Sequence, residues 1–300
     1  MRRIGFIGLG QMGKWMALNF LKADCRISVY DIDPKAVAFL VENGADAGRT
    51  PADIAAQAEV VFLSLPNTDI VEQVIFGDAG LVQAAKKEML IVDLSTISYL
   101  GSVDMARKLK PMNIFFCDAP VSGMESRAKE ASLTVMVGST QKIFERIRPL
   151  LEIIGDTVLH MGPVGSGQLT KLVNQILFNI NAAGLAEVLP MAAKLGLDPV
   201  KVCQVITTGT GRSFAAEFFT PLTLENNFSQ GYPLESAYKD MASAAEIGAR
   251  HKIPLPLTQA ATTVFQMALA QGLGAESKGA LIKVFEKILD VEFRKKGANQ

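Results

Sequence analysis

Hydrophobic residues follow two different patterns along this chain. In the first half, short apolar runs such as 3–7 and 59–65 alternate with stretches in which apolar residues recur at helical spacing. This alternation is typical of βαβ units, whose strands form a parallel sheet. From 166 to 292 only the helical spacing remains, and glycine and proline interrupt it repeatedly. The pattern predicts an α/β domain at 1–164 followed by an all-helical domain at 165–300.

The apolar runs also predict the individual elements of the first domain. We expect strands at Arg3–Ile7, Arg26–Tyr30, Glu59–Leu65, Met89–Leu94, Ser132–Gly138 and Thr157–Met161, and a strand that runs into a loop over Asn113–Gly123. We expect helices from Gly13 to Lys22, from Ile70 to Phe76 and from Lys142 to Leu151. The sheet is therefore predicted to be mostly parallel, as in a Rossmann-type domain.

The longest helical pattern runs from Gly165 to Gly196. At about 1.5 Å per residue it would extend for roughly 45 Å, which is long enough to join the two domains. Asn179, Asn181 and Glu187 interrupt its apolar sequence, so we expect no membrane span. The apolar content of this domain predicts association into a homodimer or homotetramer. The spacing predicts a buried helix face formed by Leu169, Leu172, Val173, Ile176, Leu177 and Ile180.

Three polar residues of that helix share another face. Lys171, Asn174 and Gln175 are spaced so that their side chains converge near the first turn, directly after a flexible Gly-Ser-Gly entry. A lysine beside two amides suits an oxygen-rich substrate. A solvated helix start is the alternative explanation of the same residues.

The first strand leads into a glycine-rich turn. The spacing Gly-x-Gly-x-x-Gly between a strand and a helix is the context that a dinucleotide-binding turn requires. In that context Gly8 permits the tight turn, Gly10 admits a pyrophosphate close to the backbone, and Gly13 lets the helix pack on the strand. The candidate cofactor-binding residues of the turn are Gly8, Leu9, Gly10, Gln11, Met12 and Gly13.

The second strand ends in an acidic residue, Asp31, at the position where a carboxylate accepts hydrogen bonds from an adenosine ribose. A carboxylate there repels a 2′-phosphate, and the following Ile32 has no basic group to hold one. The sequence therefore favours NAD. Lys35 softens this preference, so NADP stays possible.

Two further segments follow strands at the same edge of the predicted sheet. Leu65, Pro66 and Asn67 come after one strand, and Ser95 and Thr96 come after the next. Ligands of such sheets bind beyond the carboxyl ends of the strands, so these residues are candidate cofactor contacts. The hydroxyls of Ser95 and Thr96 also suit a cap of the next helix, and both roles stay open.

Composition narrows the class of protein. The 300 residues are 49% hydrophobic, which is enough for two ordinary cores. The 30 Lys plus Arg balance 30 Asp plus Glu, so no global field attracts nucleic acid or a membrane surface. Cys25, Cys117 and Cys203 are far apart, which favours reduced thiols in a cytoplasmic protein without a disulfide or metal framework. The apolar N-terminal run ends too early, at Gln11 and Lys14, for a signal peptide.

Four motifs occur in order over nearly the whole chain. They are the glycine-rich turn at 6–13, the loop Asp118-Ala119-Pro120-Val121-Ser122-Gly123, the segment Gly165-Ser166-Gly167 with Lys171-Leu172-Val173-Asn174, and Lys239-Asp240. Together they resemble the β-hydroxyacid dehydrogenases, a family that includes 3-hydroxyisobutyrate dehydrogenase, tartronate semialdehyde reductase and the glyoxylate/succinic semialdehyde reductases. The resemblance implies reversible hydride transfer between a nicotinamide cofactor and a small hydroxyacid.

The resemblance also implies roles for individual residues. Lys171 would be the catalytic lysine, which donates a proton in reduction and accepts it in oxidation. The substrate would contact Ser122, Gly123 and Asn174. Met124, which follows in the same loop, and Gln175, which the helix spacing places beside Asn174, are further candidate substrate contacts. The cofactor would contact Thr96 and Lys239, and its adenosine would lie by Leu65 and Pro66, which Asn67 follows.

This chain departs from the family pattern at three places. Met124 stands where relatives usually have a second glycine, so a side chain projects from backbone that would otherwise approach the substrate carboxylate. Ala131 and Ser132 replace a glycine-threonine pair, and Trp15 replaces a common proline. These differences are expected to leave the chemistry intact and to shift substrate specificity.

Two other functions fit part of the pattern. A non-catalytic dinucleotide-binding protein would lack the lysine, and imine reductases usually replace it, so Lys171 counts against both. His160 and His251 have no partner identifiable in the sequence and are expected to be structural. Candidates for closing over the substrate lie in loops of the second domain, at Arg212, Ser213 and Tyr232.

Overall fold

The computed structural model describes residues 3–295 and divides the chain into two compact units, Met1–Lys171 and Leu172–Gln300. The first unit contains a nine-stranded sheet. Its strands are β1 (Arg3–Ile7), β2 (Arg26–Tyr30), β3 (Asp46–Ala47), β4 (Val60–Leu63), β5 (Leu90–Asp93), β6 (Phe115–Asp118), β7 (Val121–Ser122), β8 (Thr134–Gly138) and β9 (Thr157–Gly162).

The sheet is mostly parallel, as predicted. The strand order is β3-β2-β1-β4-β5-β6-β8-β7, and β9 pairs with β8. All pairs from β3 to β6 are parallel, and β9 is parallel to β8. The exception is β8, which runs antiparallel to both β6 and β7. The carboxyl ends of the five central parallel strands β2, β1, β4, β5 and β6 therefore share one edge.

Helices pack on the sheet and supply the regular secondary structure of the second unit over its described residues, 172–295. They are α1 (Gly13–Lys22), α2 (Pro34–Glu42), α3 (Pro51–Gln57), α4 (Thr68–Phe76), α5 (Tyr99–Leu109), α6 (Met124–Lys129), α7 (Gln141–Leu151), α8 (Ser166–Lys194), α9 (Pro199–Thr208), α10 (Phe214–Leu224), α11 (Leu234–His251), α12 (Pro256–Ala270) and α13 (Ile282–Leu289). Among residues 172–295 no strand is formed, so the prediction of a helical C-terminal half is confirmed.

The central strands are buried on both faces. Every residue of β4 and β5 is buried, which explains why their sequences are continuous apolar runs rather than alternating ones. On one face Phe20 of α1 packs against Phe62 of β4 with ring centroids 4.9 Å apart. On the other face Ile54 and Ile75 belong to a second apolar cluster.

The structure adds α2, α3, α5 and α6 to the helices predicted from apolar spacing. The first three begin with a side-chain cap, in which Asp33, Thr50 and Ser98 respectively accept a backbone N–H of the first turn. In α2 and α3 a proline occupies the first helical position, where its missing N–H has no cost. Caps and prolines, rather than periodicity, were therefore the signals for these short helices.

The prediction for the buried face of the long helix is wrong in part. Val173 and Leu177 are each 58% exposed, and the residues that enter the core of the second unit are chiefly alanines, such as Ala182 and Ala186. Apolar spacing identifies an apolar face of a helix but not the face that packs against the core. Here the core packs against the alanine face, whose small side chains allow close approach.

The same helix satisfies a membrane-span criterion by length and composition. The mean hydropathy of its most apolar 18-residue window is 1.4. The polar residues Asn179 and Glu187 therefore do not make this helix too polar for a membrane span, as the sequence argument had assumed. Within the protein, 39% of that window is buried. Core helices of soluble proteins pass the same test, and Ala182, Ala186 and Leu189 of this helix lie in the apolar core of the second unit.

Candidate active site

The glycine-rich turn after β1 shows three different environments for its glycines. Gly8 has φ +92°, and a Cβ there would lie 2.2 Å from the Ser64 carbonyl oxygen. A Cβ on Gly13 would lie 1.9 Å from the Gly8 carbonyl oxygen. Around Gly10 no atom would lie within 4 Å of a Cβ. Two glycines are thus needed for internal packing, and the third borders open space that a phosphate would fit.

Helix α1 begins at this turn without a side-chain cap. Helix α4, which begins at the same edge of the sheet, is capped by Asn67. At the start of α1 the Lys14 and Trp15 N–H groups donate only to backbone carbonyl oxygens of the turn, at 3.3 and 3.2 Å, and the helix N-terminus presents a partial positive charge to an anion. The open space over Gly10 and the uncapped start of α1 together fit the pyrophosphate of a dinucleotide.

Asp31 at the end of β2 holds the turn together. Its Oδ2 accepts the Leu9 backbone N–H at 2.5 Å, and its Oδ1 accepts the Asp33 N–H at 2.8 Å. Each carboxylate oxygen has a second lone pair, so the group keeps the capacity to accept a ribose hydroxyl. The neighbouring Ile32 is 90% exposed. Lys35 lies in the first turn of α2, where its backbone N–H is accepted by Asp33.

The segments after β4 and β5 are joined to each other. The Leu65 N–H donates to Ser95 Oγ at 2.8 Å. Helix α5 is capped by Ser98, so the proposal that Ser95 and Thr96 cap this helix is wrong. Asn67 uses its side-chain oxygen to cap α4, accepting the Ile70 N–H at 2.9 Å.

The loop after β6 carries the predicted substrate contacts. Ser122 belongs to β7 and pairs with Thr134 of β8. Gly123 has φ +146°, and Met124 has φ +61° in spite of its side chain. Ala131 has φ +57°. At both positions where the family pattern usually has glycine, this chain has the left-handed backbone conformation that glycine favours, although each residue carries a side chain.

Glu125 connects this loop to the glycine-rich turn. Its Oε2 accepts from Gln11 Nε2 at 3.1 Å, and its Oε1 accepts from Trp15 Nε1 at 2.9 Å. Lys129 lies 2.9 Å from the same carboxylate. The hydrogen bond from Lys129, followed by those from Gln11 and Trp15, lowers the pKa of Glu125 to about 2. Sequence reasoning missed Glu125, although Trp15 was a visible departure from the family.

Asp118, the last residue of β6, caps the start of the long helix. It is fully buried, and its oxygens accept the backbone N–H groups of Gly165 at 2.6 Å and Gln168 at 2.8 Å. A Cβ on Gly167 would lie 2.8 Å from Asp118 Oδ2, so only glycine permits this approach. Burial raises the pKa of Asp118 to about 6, although the backbone hydrogen bonds oppose the shift.

Lys171 follows one turn after this capped start. It is 8% exposed and is the last residue of the first unit. The other two polar residues of the predicted set belong to the second unit: Asn174 is exposed, and Gln175 donates to Asp240 Oδ2 at 3.1 Å. Lys239 lies next to Asp240 on α11 and is half-buried. The structure therefore places Gln175 beside the Lys239-Asp240 motif.

The remaining candidates have structural contacts. His160 Nε2 lies 2.8 Å from the Ser139 carbonyl oxygen, and its ring stacks on Phe144. Ser213 caps α10, and Arg212 pairs with Glu217. Tyr232 is partly exposed. In the described part of the chain no cluster of His, Cys, Asp and Glu suits a metal ion.

Comparison with known proteins gives the same assignment. Residues 3–162 match the model of the NAD binding domain of 6-phosphogluconate dehydrogenase. Residues 165–285 match the model described as the NAD-binding domain of NADP-dependent 3-hydroxyisobutyrate dehydrogenase. These matches, with the glycine-rich turn, define an NAD(P)-dependent oxidoreductase. The chain belongs to the β-hydroxyacid dehydrogenase family, whose members act on CH–OH groups.

The chain is similar to its relatives over almost its whole length. It is 39% identical to 2-(hydroxymethyl)glutarate dehydrogenase of Eubacterium barkeri, covering 96% of both chains. It is 34% identical to 2-hydroxy-3-oxopropionate reductase of Escherichia coli, covering 95% of this chain and 97% of the relative. The solved structure of Mycobacterium tuberculosis 3-hydroxyisobutyrate dehydrogenase with L-serine has a TM-score of 0.86 at 28% identity, covering 95% and 99%.

Imine reductases share the fold at a greater distance. The enzyme from Myxococcus stipitatus has a TM-score of 0.64 and 17% identity, covering 95% of this chain and 99% of that enzyme. Likeness at this level concerns the fold alone. The dehydrogenase interpretation is therefore favoured over the imine reductase alternative.

Proposed function

We propose that this protein oxidises a small carboxylate that bears a hydroxymethyl group on the carbon next to the carboxylate. The three relatives are named for 2-(hydroxymethyl)glutarate, 2-hydroxy-3-oxopropionate and 3-hydroxyisobutyrate. All three molecules carry CH2OH or CHO on that carbon and differ in its other substituent. The reaction converts R–CH(COO⁻)–CH2OH and NAD(P)⁺ to R–CH(COO⁻)–CHO, NAD(P)H and a proton.

The observation that carries this proposal is the placement of Lys171. It lies on a helix whose start is fixed to the sheet by Asp118, in the same unit as the glycine-rich turn. Gly10 and the N-terminus of α1 would hold the pyrophosphate, and Asp31 the ribose. A bound nicotinamide supplies or accepts the hydride.

The protein groups handle the proton and the oxygen. In reduction the Lys171 ammonium donates a hydrogen bond to the carbonyl oxygen and then the proton, which neutralises the developing alkoxide. In oxidation the neutral amine accepts the hydroxyl proton. Asn174 and Gln175 contribute amide groups to the substrate, and Ser122 with the backbone of Gly123 binds its carboxylate. Met124 lies beside the carboxylate and contacts the variable substituent.

The cofactor preference is proposed to be NAD. Asp31 accepts the Leu9 N–H of the turn with one oxygen and the Asp33 N–H with the other, and it keeps lone pairs for ribose hydroxyls, whereas a 2′-phosphate would meet its negative charge. Leu65, Pro66, Asn67, Thr96 and Lys239 complete the proposed cofactor contacts, with Leu9, Gln11 and Met12 in the turn.

The domain roles, assembly and location complete the proposal. Residues 1–164 bind the dinucleotide, and 165–300 hold substrate groups and support a homodimer or homotetramer. The protein acts in the cytoplasm on a small carboxylate and needs neither nucleic acid nor a membrane as partner.

The test is a substrate panel with NAD and NADP separately. We expect oxidation of 2-(hydroxymethyl)glutarate, 3-hydroxyisobutyrate or glycerate, and at least about tenfold lower kcat/KM for 4-hydroxybutyrate, whose alcohol lies one carbon further away. NAD should be preferred by about tenfold or more, or 1.4 kcal/mol. Cofactor binding without turnover of any of these acids would instead support a non-catalytic binding protein. Reduction of a cyclic imine as the main activity would support the imine reductase alternative.

A further inference from the structure

Gln168 is a buried polar residue in the first turn of α8, three positions before Lys171. It is 3% exposed, and both polar atoms of its side chain form hydrogen bonds within the first unit. It is absent from the set of residues that the sequence motifs identify as contacts of substrate or cofactor. Its contacts nevertheless join the two segments between which the chemistry is proposed to occur.

The Gln168 side chain binds the backbone on both sides of Thr96. Its Nε2 donates to the Ser95 carbonyl oxygen at 2.8 Å, and its Oε1 accepts the Ile97 N–H at 3.1 Å. The side-chain amide of Gln168 thus pairs with the carbonyl and the N–H on either side of Thr96, in the way that a neighbouring β-strand pairs with alternate residues. The conformation of the backbone around Thr96 is therefore fixed from the helix.

The backbone of Gln168 is also held in place. Its backbone N–H donates to Asp118 Oδ2 at 2.8 Å, and the Ser95 N–H donates to Asp93 Oδ1 at 3.0 Å. The ends of β5 and β6 and the start of α8 are consequently connected through buried hydrogen bonds. Such bonds are costly to leave unmade, so the arrangement is rigid.

We propose that Gln168 is a positioning residue that sets the location of Lys171 relative to Thr96 and hence to the nicotinamide. This inference rests on the proposed function, in which Lys171 moves the proton and Thr96 lies beside the cofactor. Misplacement of reacting groups by about 1 Å can lower a rate by about 100-fold. Gln168 acts through this placement and does not touch the substrate.

The amide chemistry of Gln168 gives a specific test. In Gln168→Glu, a protonated carboxyl can still donate to the Ser95 carbonyl and accept from Ile97, but an ionised one cannot donate. The charged groups around this position are Asp93 on β5, Asp118 on β6 and Lys171 on α8 itself. Burial and the two aspartates raise the pKa of the new carboxyl, and Lys171 opposes them. The hydrogen bond to the Ser95 carbonyl oxygen should therefore form at acid pH, where the carboxyl is protonated, and be lost at alkaline pH.

The experiment compares Gln168→Glu, Gln168→Leu and a matched control, Thr170→Ala, each as a ratio to the parent protein at every pH. Thr170 lies in the same turn, and its hydroxyl donates only to the Ser166 carbonyl oxygen of its own helix. We expect Gln168→Leu to lower kcat by about tenfold or more at all pH values, with substrate KM changed by less than about threefold. Gln168→Glu should show the loss at pH 8 and recover to within about threefold of the parent at pH 5.5.

Hydrogen exchange of the cofactor-free protein gives a readout that needs no activity. The Ile97 amide should exchange at least about tenfold faster in Gln168→Leu than in the parent, and at the parental rate in Thr170→Ala. An Ile97 amide that exchanges at the parental rate in Gln168→Leu would overturn the claim that Gln168 holds the backbone around Thr96. The positioning role would be overturned if Gln168→Leu had the parental kcat. It would also be overturned if Thr170→Ala lowered kcat as much as Gln168→Leu does. A parent protein inactive on the whole substrate panel would instead refute the proposed function, and the exchange result would still decide whether Gln168 holds the backbone around Thr96.

Discussion

The Asp118 carboxylate accepts the Gly165 backbone N–H at 2.6 Å, although 47 residues separate the two in the chain. This contact fixes the start of α8 to the end of β6, and a second N–H from Gln168 strengthens it. Helix starts are normally capped by a residue directly before them. Here the cap comes from the sheet, so the helix that carries Lys171 is positioned by the sheet.

Replacing Asp118 should therefore reduce both stability and activity. In Asp118→Asn one acceptor oxygen becomes an NH2 group that faces an N–H donor, which we expect to cost about 1–2 kcal/mol of unfolding free energy. Denaturant unfolding measures this, and kcat should fall as well. The matched control is Thr140→Ala, which removes the cap of α7. It should lose similar stability and keep kcat, and a loss of kcat in both variants would contradict the positioning argument.

The pH dependence of stability should reveal Asp93. Burial, with a smaller contribution from the nearby Asp118, raises the pKa of Asp93 from its ordinary range to about 7, although hydrogen bonds with Ser95 oppose the shift. The folded protein thus holds this proton more tightly than the unfolded chain. The resulting contribution to stability is present at low pH and is lost as pH rises from about 4 to about 7.

Asp93→Asn removes that titration. We expect the unfolding free energy of the variant to rise relative to the parent between pH 5 and pH 8, measured by thermal or denaturant unfolding. Asp104→Asn is the control, because hydrogen bonds from Lys108 and Arg107 lower the pKa of Asp104, so its titration lies below this pH range and the difference between this variant and the parent should not change from pH 5 to pH 8. A difference between Asp93→Asn and parent that does not change with pH would show that Asp93 is not the titrating group.

Met124 should set the preference for the variable substituent of the substrate. If its half-buried side chain lines the substrate site, acids with a methyl or methylene group there should outcompete polar ones. Met124→Gly should then raise the relative kcat/KM for more polar or bulkier acids, within the range of about 10- to 200-fold that a methylene contact supports. The cofactor KM should stay nearly unchanged.

Ala131→Gly is the matched control for Met124→Gly. Ala131 also has positive φ at a position where relatives have glycine, so this variant relieves the same backbone conformation outside the loop that holds the substrate. It should leave the substrate ranking unchanged. If Met124→Gly keeps the parent ranking within a factor of about two, the side chain points away from the substrate.

The exposed apolar face of α8 should be covered in an oligomer. Its members recur at helical spacing and are Val173, Leu177, Val188 and Met191, and the exposed Leu195 follows the helix directly. We expect light scattering at micromolar concentration to show a dimer or tetramer. Leu177→Glu should weaken the assembly, whereas Ile288→Glu, an exposed apolar position on α13, should leave it intact. A monomer at all concentrations would contradict this.

The sequence predicted the parts of the fold that depend on local pattern. The strand, turn and helix from Arg3 to Lys22 have the predicted bounds, because glycine spacing and apolar alternation are encoded within one segment. The exposed Val173 and Leu177 were misassigned because periodicity does not identify the partner surface. The contacts of Glu125 with Trp15 and of Gln168 with Ser95 span 110 and 73 residues and leave no local signal.

The most direct test of the account is the effect of Lys171→Met on turnover and on cofactor binding, measured in the same preparation. Methionine matches the length and apolar part of lysine but carries no proton, so kcat should fall by at least about 100-fold, the lower range for general acid–base catalysis. The dissociation constant for NADH, measured by its fluorescence, should stay within about threefold of the parent value. A variant that retains more than about a tenth of the parental kcat would contradict the central role of Lys171.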